Sequence, residues 1–252
     1  MDFSVSHFKL RYDTPSSENI DERDELLSQL RLRYTRQLSS NLSLFAGFDF
    51  SYGKLVYILA ARSSNKNTNR IFRLNTGYAY SGRQFKNYGT FEILANYMVY
   101  DFEDLNPGFK SFSFRQISLV DSAVVVLTKE LNFEFSGFYK LSEQGDLKWN
   151  DYKIKPSREI TELLLLPALS TSAGRFSFKV GLRYYSYFSD VIINGLKKEE
   201  NYYKGIAPLT EISALFYDAF MFTLRGWYER IDSKGNERRY LTTLNLAVKW
   251  FL

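Results

Sequence analysis

The chain has 252 residues, no cysteine, one histidine, a net charge of +5 and 17% aromatics, among them 19 Tyr and 22 Phe. Without cysteine there are no disulfides and no thiolate metal sites, and a modest, scattered charge excludes a nucleic-acid-binding tail. No run approaches the ~18 apolar residues of a membrane helix, which excludes helical spans but not strands that are polar at alternate positions.

Read in order, the chain predicts twelve strand-like segments: Phe3–Asp13, Leu26–Leu38, Asn41–Ala60, Arg70–Tyr80, Thr90–Phe102, Phe112–Leu127, Leu131–Ser142, Arg158–Leu169, Arg175–Phe188, Pro208–Phe216, Ala219–Arg230 and Arg239–Phe251. Most have the ~9–11 residues that a tilted strand needs to cross a bilayer; Asn41–Ala60 is longer and is expected to project beyond it. The connections alternate between long and short. Long ones are Thr14–Glu25, Ala61–Asn69, Glu103–Ser111, Glu143–Ser157, Ser189–Ala207 and Ile231–Arg238. Short ones lie around Ser39-Ser40, Ser81-Gly82, Thr128–Glu130, Ser170–Gly174 and Tyr217-Asp218. No signal peptide precedes Phe3, and the abrupt start within a strand raises the expectation of a longer precursor.

Successive side chains of a strand point to opposite sides. In Asn41–Tyr52 one face is Leu42, Leu44, Ala46, Phe48, Phe50 and Tyr52; in Arg175–Phe188 it is Phe176, Phe178, Val180, Leu182 and Tyr184; in Ala219–Arg230 it is Phe220, Phe222, Leu224 and Tyr228. The last stretch, Tyr240–Leu252, has Thr242, Leu244, Leu246, Val248, Trp250 and Leu252 on one side and Leu241, Thr243, Asn245, Ala247, Lys249 and Phe251 on the other. Tyr78, Tyr80, Tyr97, Tyr100, Tyr184, Tyr185 and Trp250 gather toward strand ends, as interfacial girdles do.

That last stretch resembles the closing strand of bacterial outer-membrane β-barrels, in which alternate apolar residues run up to a terminal aromatic; here Trp250 and Phe251 precede a final Leu252. With the loop alternation, the whole chain resembles twelve-stranded barrels of that kind. The resemblance implies an all-β, antiparallel up-and-down transmembrane barrel in the bacterial outer membrane, a single domain over residues 1–252 with short periplasmic turns and longer extracellular loops. The implied partners are outer-membrane lipids and lipopolysaccharide, and the barrel assembly machinery acting on Tyr240–Leu252.

Apolar residues then face lipid and charges face the lumen. The expected inward bases are Arg31, Arg33, Arg73, Lys179, Arg183, Arg225 and Lys249, with Lys9, Arg11 and Lys140 also inward. The expected acidic partners are Asp49, Glu92, Glu134, Glu211 and Glu229, with Glu162 beside them. Closure of the twelfth strand onto the first gathers the bases into one wall, and a one-signed lumen favours ions of opposite sign. The competing expectation is that acids and bases pair and fill the bore. On the opposite wall Val124–Leu127 and Leu163–Leu166 are apolar on both faces, with Phe138 between them, and pack a plug or line a path for an amphiphile.

Catalysis finds little support. A nucleophilic serine needs a base that takes its proton, normally histidine, and His7 in S-V-S-H-F-K lacks the His-x-Ser-Asn arrangement of the outer-membrane phospholipase. No phosphate loop, metal motif or cofactor motif is present; Glu143, Asp146 and Asp151 share a loop that they solvate. The functional expectation is a channel for small polar or anionic solutes. The alternatives are an anchor or translocator for a preceding domain and, through His7 alone, a lipid-modifying enzyme.

Overall fold

The computed structural model describes residues 1–13, 21–104, 108–149, 153–217 and 219–250. Twelve antiparallel strands follow one another in an up-and-down order: β1 Asp2–Tyr12, β2 Arg23–Ser39, β3 Leu42–Tyr57, β4 Asn67–Ser81, β5 Phe85–Tyr100, β6 Phe112–Val126, β7 Leu131–Lys148, β8 Lys153–Ala173, β9 Phe176–Ile193, β10 Leu196–Phe216, β11 Phe220–Ser233 and β12 Arg239–Trp250. A short 3-10 turn, Ala60–Asn65, caps the β3–β4 connection. Among the described residues no helix is long and apolar enough to cross a membrane. Each strand pairs with its sequence neighbours, so every connection is a hairpin. Phe251, Leu252, Asp218, Asp151, Asn106, Pro107 and most of the Thr14–Glu25 loop lie outside the described residues.

The ladders carry the sequence faces across the sheet in register. Leu32 stands opposite Phe48 and Phe48 opposite Leu74; Phe178 stands opposite Ile212, Ile212 opposite Leu224 and Leu224 opposite Leu246. This continuous apolar face is the outward one. Aromatic pairs mark its lower border: Tyr80 and Phe85 meet in a tilted pair at 5.8 Å, and Phe220 and Trp250 stack at 5.6 Å. At the upper border Tyr97 meets Trp149 at 5.8 Å, with the Arg70 guanidinium 4.3 Å from the indole. Two of the expected girdle tyrosines belong elsewhere: Tyr185 stands opposite Gly205 and Leu164 on the inward face, and Tyr100 opposite Asn67 is also inward.

Two expected long loops are instead hairpins. β7 and β8 extend the ladder to Lys148 and Lys153, and β9 and β10 close on Asn194 and Gly195, whose φ values of 53° and 79° match a tight turn of the asparagine–glycine type. At 21 residues each, β8 and β10 far exceed the ~9–11 needed to span hydrocarbon, so their upper ends stand clear of the membrane. Lys9 and Arg11 are also corrected: Lys9 stands opposite Leu26 on the outward face and pairs with Asp24 at 3.9 Å, and Arg11 reaches Asp13 at 3.6 Å. Both faces of β1 mix apolar and polar residues: Phe3, Val5, His7, Lys9 and Arg11 stand outward and Ser4, Ser6, Phe8 and Leu10 inward.

Candidate functional site: the inward charged face

Both sets of expected lumen residues fall on one face. Arg31, Asp49 and Arg73 occupy directly opposed positions on β2, β3 and β4. Asp49 accepts from Arg31 Nε at 3.0 Å and from Arg33 Nη2 at 3.0 Å; Arg33 Nη1 also donates to Asn75 Oδ1 at 2.6 Å. Arg73 reaches Glu92 at 3.5 Å. This corner therefore has three guanidiniums to two carboxylates, with Asp49 shared. A cavity of about 300 Å³ opens beside it, lined by Ser4, Ser6, Gln29, Arg31, Asp49 and Arg73.

The second group runs across β7 to β11. Glu134, which also accepts from the Ser170 hydroxyl, holds Lys179 Nζ at 2.5 Å; Lys179 lies 3.9 Å from Glu211, which binds Arg225. Arg183 binds Glu229, and its guanidinium lies 5.4 Å from the Tyr185 ring and 5.6 Å from Trp227. Glu229 is only 3% exposed. Its carboxylate lies over the backbone of Gly205, so a side chain at that position would displace Glu229 from its place beside Arg183. Lys249 is inward, opposite Met221. Of the apolar stretches Val124–Leu127 and Leu163–Leu166, Val124 and Leu166 share this face with Phe138, and with Ala168 and Leu209 they line a cavity of about 280 Å³ whose rim carries Lys179, Arg183 and Arg225. Lys140 and Glu162 stand opposite one another on the same face, with Lys140 4.7 Å from the Phe138 ring and Glu162 accepting from Tyr185 Oη at 3.1 Å.

Electrostatically the face is a set of cross-strand ion pairs rather than a bare basic wall. At typical partial exposure such pairs stabilise by about 1 kcal/mol or less; at the desolvated Glu229 the larger effect is the penalty for removing one partner and leaving the other charge buried. Each charge that meets an opposite one also contributes little to the field felt by a passing ion.

Two outward polar groups escaped the reading of the sequence. Arg115 binds Glu143, and Lys197 binds Glu159 at 2.5 Å, on the upper ends of β6, β7, β8 and β10. Asp121 accepts from Asn87 Nδ2 at 3.0 Å and from Tyr78 Oη at 3.3 Å on the lower outward face. Their odd or even positions match the apolar residues of the same strands, and that parity was the available signal. His7 Nδ1 lies 3.0 Å from Ser28 Oγ, also outward. Among the described residues no carboxylate bonds the ring's other nitrogen, and the β2 backbone beside Ser28 is engaged in ladders on both sides, which leaves no donors for an oxyanion. Among the described residues no cluster of side chains could hold a metal ion.

No protein-family model matches the chain, and no curated protein is significantly similar to it. Solved structures do match. The ferric citrate transporter FecA in its unliganded form is 13% identical and superposes with a TM-score of 0.59, over 99% of this chain and 42% of that one. The copper transporter OprC is 7% identical, with a TM-score of 0.59 over 99% of this chain and 54% of that one. BauA, the ferric preacinetobactin receptor from Acinetobacter baumannii, is 6% identical, with a TM-score of 0.55 over 97% and 44%. The chain thus spans about half the length of these proteins, and at such identities the likeness is one of fold. The fold is that of the bacterial outer-membrane β-barrels. A chain of this fold with a continuous lipid-facing band belongs in the outer membrane.

Proposed function

We propose that this chain forms the wall of an outer-membrane channel for small polar or anionic solutes, passing along a partly basic inward face. The observation that carries the reading is the ladder Glu134–Lys179–Glu211–Arg225, which stands on the same strands as the outward Phe135, Phe178, Ile212 and Leu224. Charges in that position need water, and a hydrated interior bounded by lipid-facing strands is a conduit. The residual positive character lies at Arg31, Arg33 and Arg73, which share Asp49 and Glu92. Lysine and arginine elsewhere on the face are offset by neighbours, so the preference for anions is mild. Contact with lipopolysaccharide, and recognition of Tyr240–Leu252 by the assembly machinery, belong to the same proposal, as does the absence of catalysis.

Purified protein in a planar bilayer tests the reading. Stable conductance with a reversal potential shifted toward anions is expected, and Arg31→Glu with Arg33→Glu should move it toward cations. The shift should shrink at ~1 M salt, where screening acts within about 3 Å. Folded protein that never conducts would sink the channel and favour the anchor or translocator, with Val124 and Leu166 as the seat of a plug.

A further inference from the structure

The cavity of about 300 Å³ beside Asp49 is built from two directly opposed rows on the inward face. Ser4, Arg31, Asp49 and Arg73 form one row across β1 to β4; Ser6, Gln29, Ser51 and Ile71 form the next. Long charged side chains in the first row border shorter ones in the second, which leaves the space between them. All of these residues except Ile71 are polar, so the cavity suits a ligand that is itself polar.

Donors outnumber acceptors there. Asp49 is the one carboxylate that lines the cavity, and it already accepts from Arg31 Nε and Arg33 Nη2, each at 3.0 Å. Arg73 approaches Glu92 with Nε, at 3.5 Å. Both lining guanidiniums therefore meet their acids through Nε, and their terminal nitrogens remain for another acceptor. The side chains of Arg31 and Arg73 are 64% and 45% exposed against 19% for Asp49, so the bases and not the acid are open to the lumen. Ser6 Oγ donates to the amide oxygen of Gln29 at 3.4 Å, which leaves the amide hydrogens of Gln29 and the hydroxyls of Ser4 and Ser51 as further donors.

The directions of these donors select the ligand. Arg31 and Arg73 stand two strands apart, about 10 Å at ~4.8 Å per strand, and the second row lies to one side of both. A carboxylate offers two oxygens in one plane, and a halide offers no direction at all. A phosphate group offers oxygens on every side, and guanidinium forks grip it in pairs of parallel bonds.

We propose that this cavity binds a phosphate group, held by the terminal nitrogens of Arg31 and Arg73 and by the Ser4, Ser51 and Gln29 donors. The site rests on the anion passage proposed above and makes one point of it selective. Its residues all stand on β1 to β4, so it does not depend on how the sheet closes. The shared chemistry is the tetrahedral oxyanion, as the free ion or as a monoester of a small polyol.

Equilibrium dialysis of the purified, folded protein in detergent against radiolabelled phosphate or glycerol 3-phosphate reads the site without conductance. Saturable binding is expected, with acetate a competitor weaker by about tenfold or more. Tighter binding of glycerol 3-phosphate assigns the site to monoesters, and the reverse assigns it to the free ion. Arg31→Lys with Arg73→Lys keeps the charge but removes the forks, so affinity should fall by about tenfold or more while anion preference in a planar bilayer is kept. Ser6→Leu fills the cavity, leaves every guanidinium in place and should also abolish binding, which covers a lysine variant that fails to fold. Binding that never saturates, acetate that competes equally, or unchanged affinity in either folded variant would overturn the site. Anion-preferring conductance without saturable phosphate binding would sink the site and leave the passage; saturable binding in a protein that never conducts would sink the passage and leave the site.

Discussion

Leu224 and Thr223 are adjacent in the chain and sit on opposite faces of β11, so one arginine placed at each in turn compares lipid with lumen at a single depth. Leu224 stands between Ile212 and Leu246 on the outward face. It lies four residues in from Phe220; at ~3.3 Å per residue and a tilt near 40°, that is roughly 10 Å into an apolar band about 25 Å tall. Near the midplane a lipid-facing arginine costs about 2–4 kcal/mol. Leu224→Arg should therefore lower the folding equilibrium constant roughly 30- to 700-fold, at 1.4 kcal/mol per factor of ten. Thr223 is inward, its hydroxyl 2.9 Å from that of Ser213. Thr223→Arg loses that bond, worth about 1 kcal/mol, but keeps its charge in water. Denaturant unfolding from lipid vesicles, followed by tryptophan fluorescence, measures both. Equal losses, or a larger loss at Thr223, would refute the assignment of faces on which the lumen and the membrane position depend.

Three further outcomes are expected. Single cysteines labelled on intact cells with an impermeant thiol reagent should react at Lys198 and at Asn65 but not at Ser40, and the reverse pattern would invert the topology. Glu229→Gln leaves Arg183 in a site where its partner is 3% exposed and should destabilise by about 3 kcal/mol, while Arg183→Met together with Glu229→Leu should recover most of the loss; an equal loss in the double variant would show that the pair is not the cause. Gly195, at φ 79° with open space where a Cβ would lie, should tolerate alanine sterically but lose about 1–2 kcal/mol to the left-handed backbone, seen as faster proteolysis of the β9–β10 hairpin with membrane insertion unchanged.

The faces were legible because a bilayer imposes a period of two on any strand within it. Phe176, Phe178, Val180 and Leu182 alternate with Ser177, Lys179 and Arg183, and the ladders preserve that alternation across the whole sheet. Strand ends were less legible because that rule stops at the membrane. Above it Leu196-Lys197-Lys198-Glu199-Glu200-Asn201 reads as a solvated loop, although it is paired strand; only Asn194-Gly195 marked the turn. Lys9 and Arg11 went to the wrong face because β1 mixes apolar and polar residues on both sides, so its pattern does not fix parity.

The ion pairs were illegible for a different reason. Lys179 meets Glu134 two strands away through the space above β8, and meets Glu211 on the next strand; both contacts depend on register and on the inward curve of the sheet, neither of which is written locally. The composition of the inward face can therefore be counted from the chain, with seven bases expected against five acids, but its field cannot. The field depends on which bases share an acid, and the Arg31–Asp49–Arg33 cluster, with two guanidiniums on one carboxylate, is where the excess of bases survives pairing. Native anion preference should consequently be set at β2, whereas on β9 and β11 the pairs are close to neutral and removing a base leaves an unpaired carboxylate that adds a pull on cations.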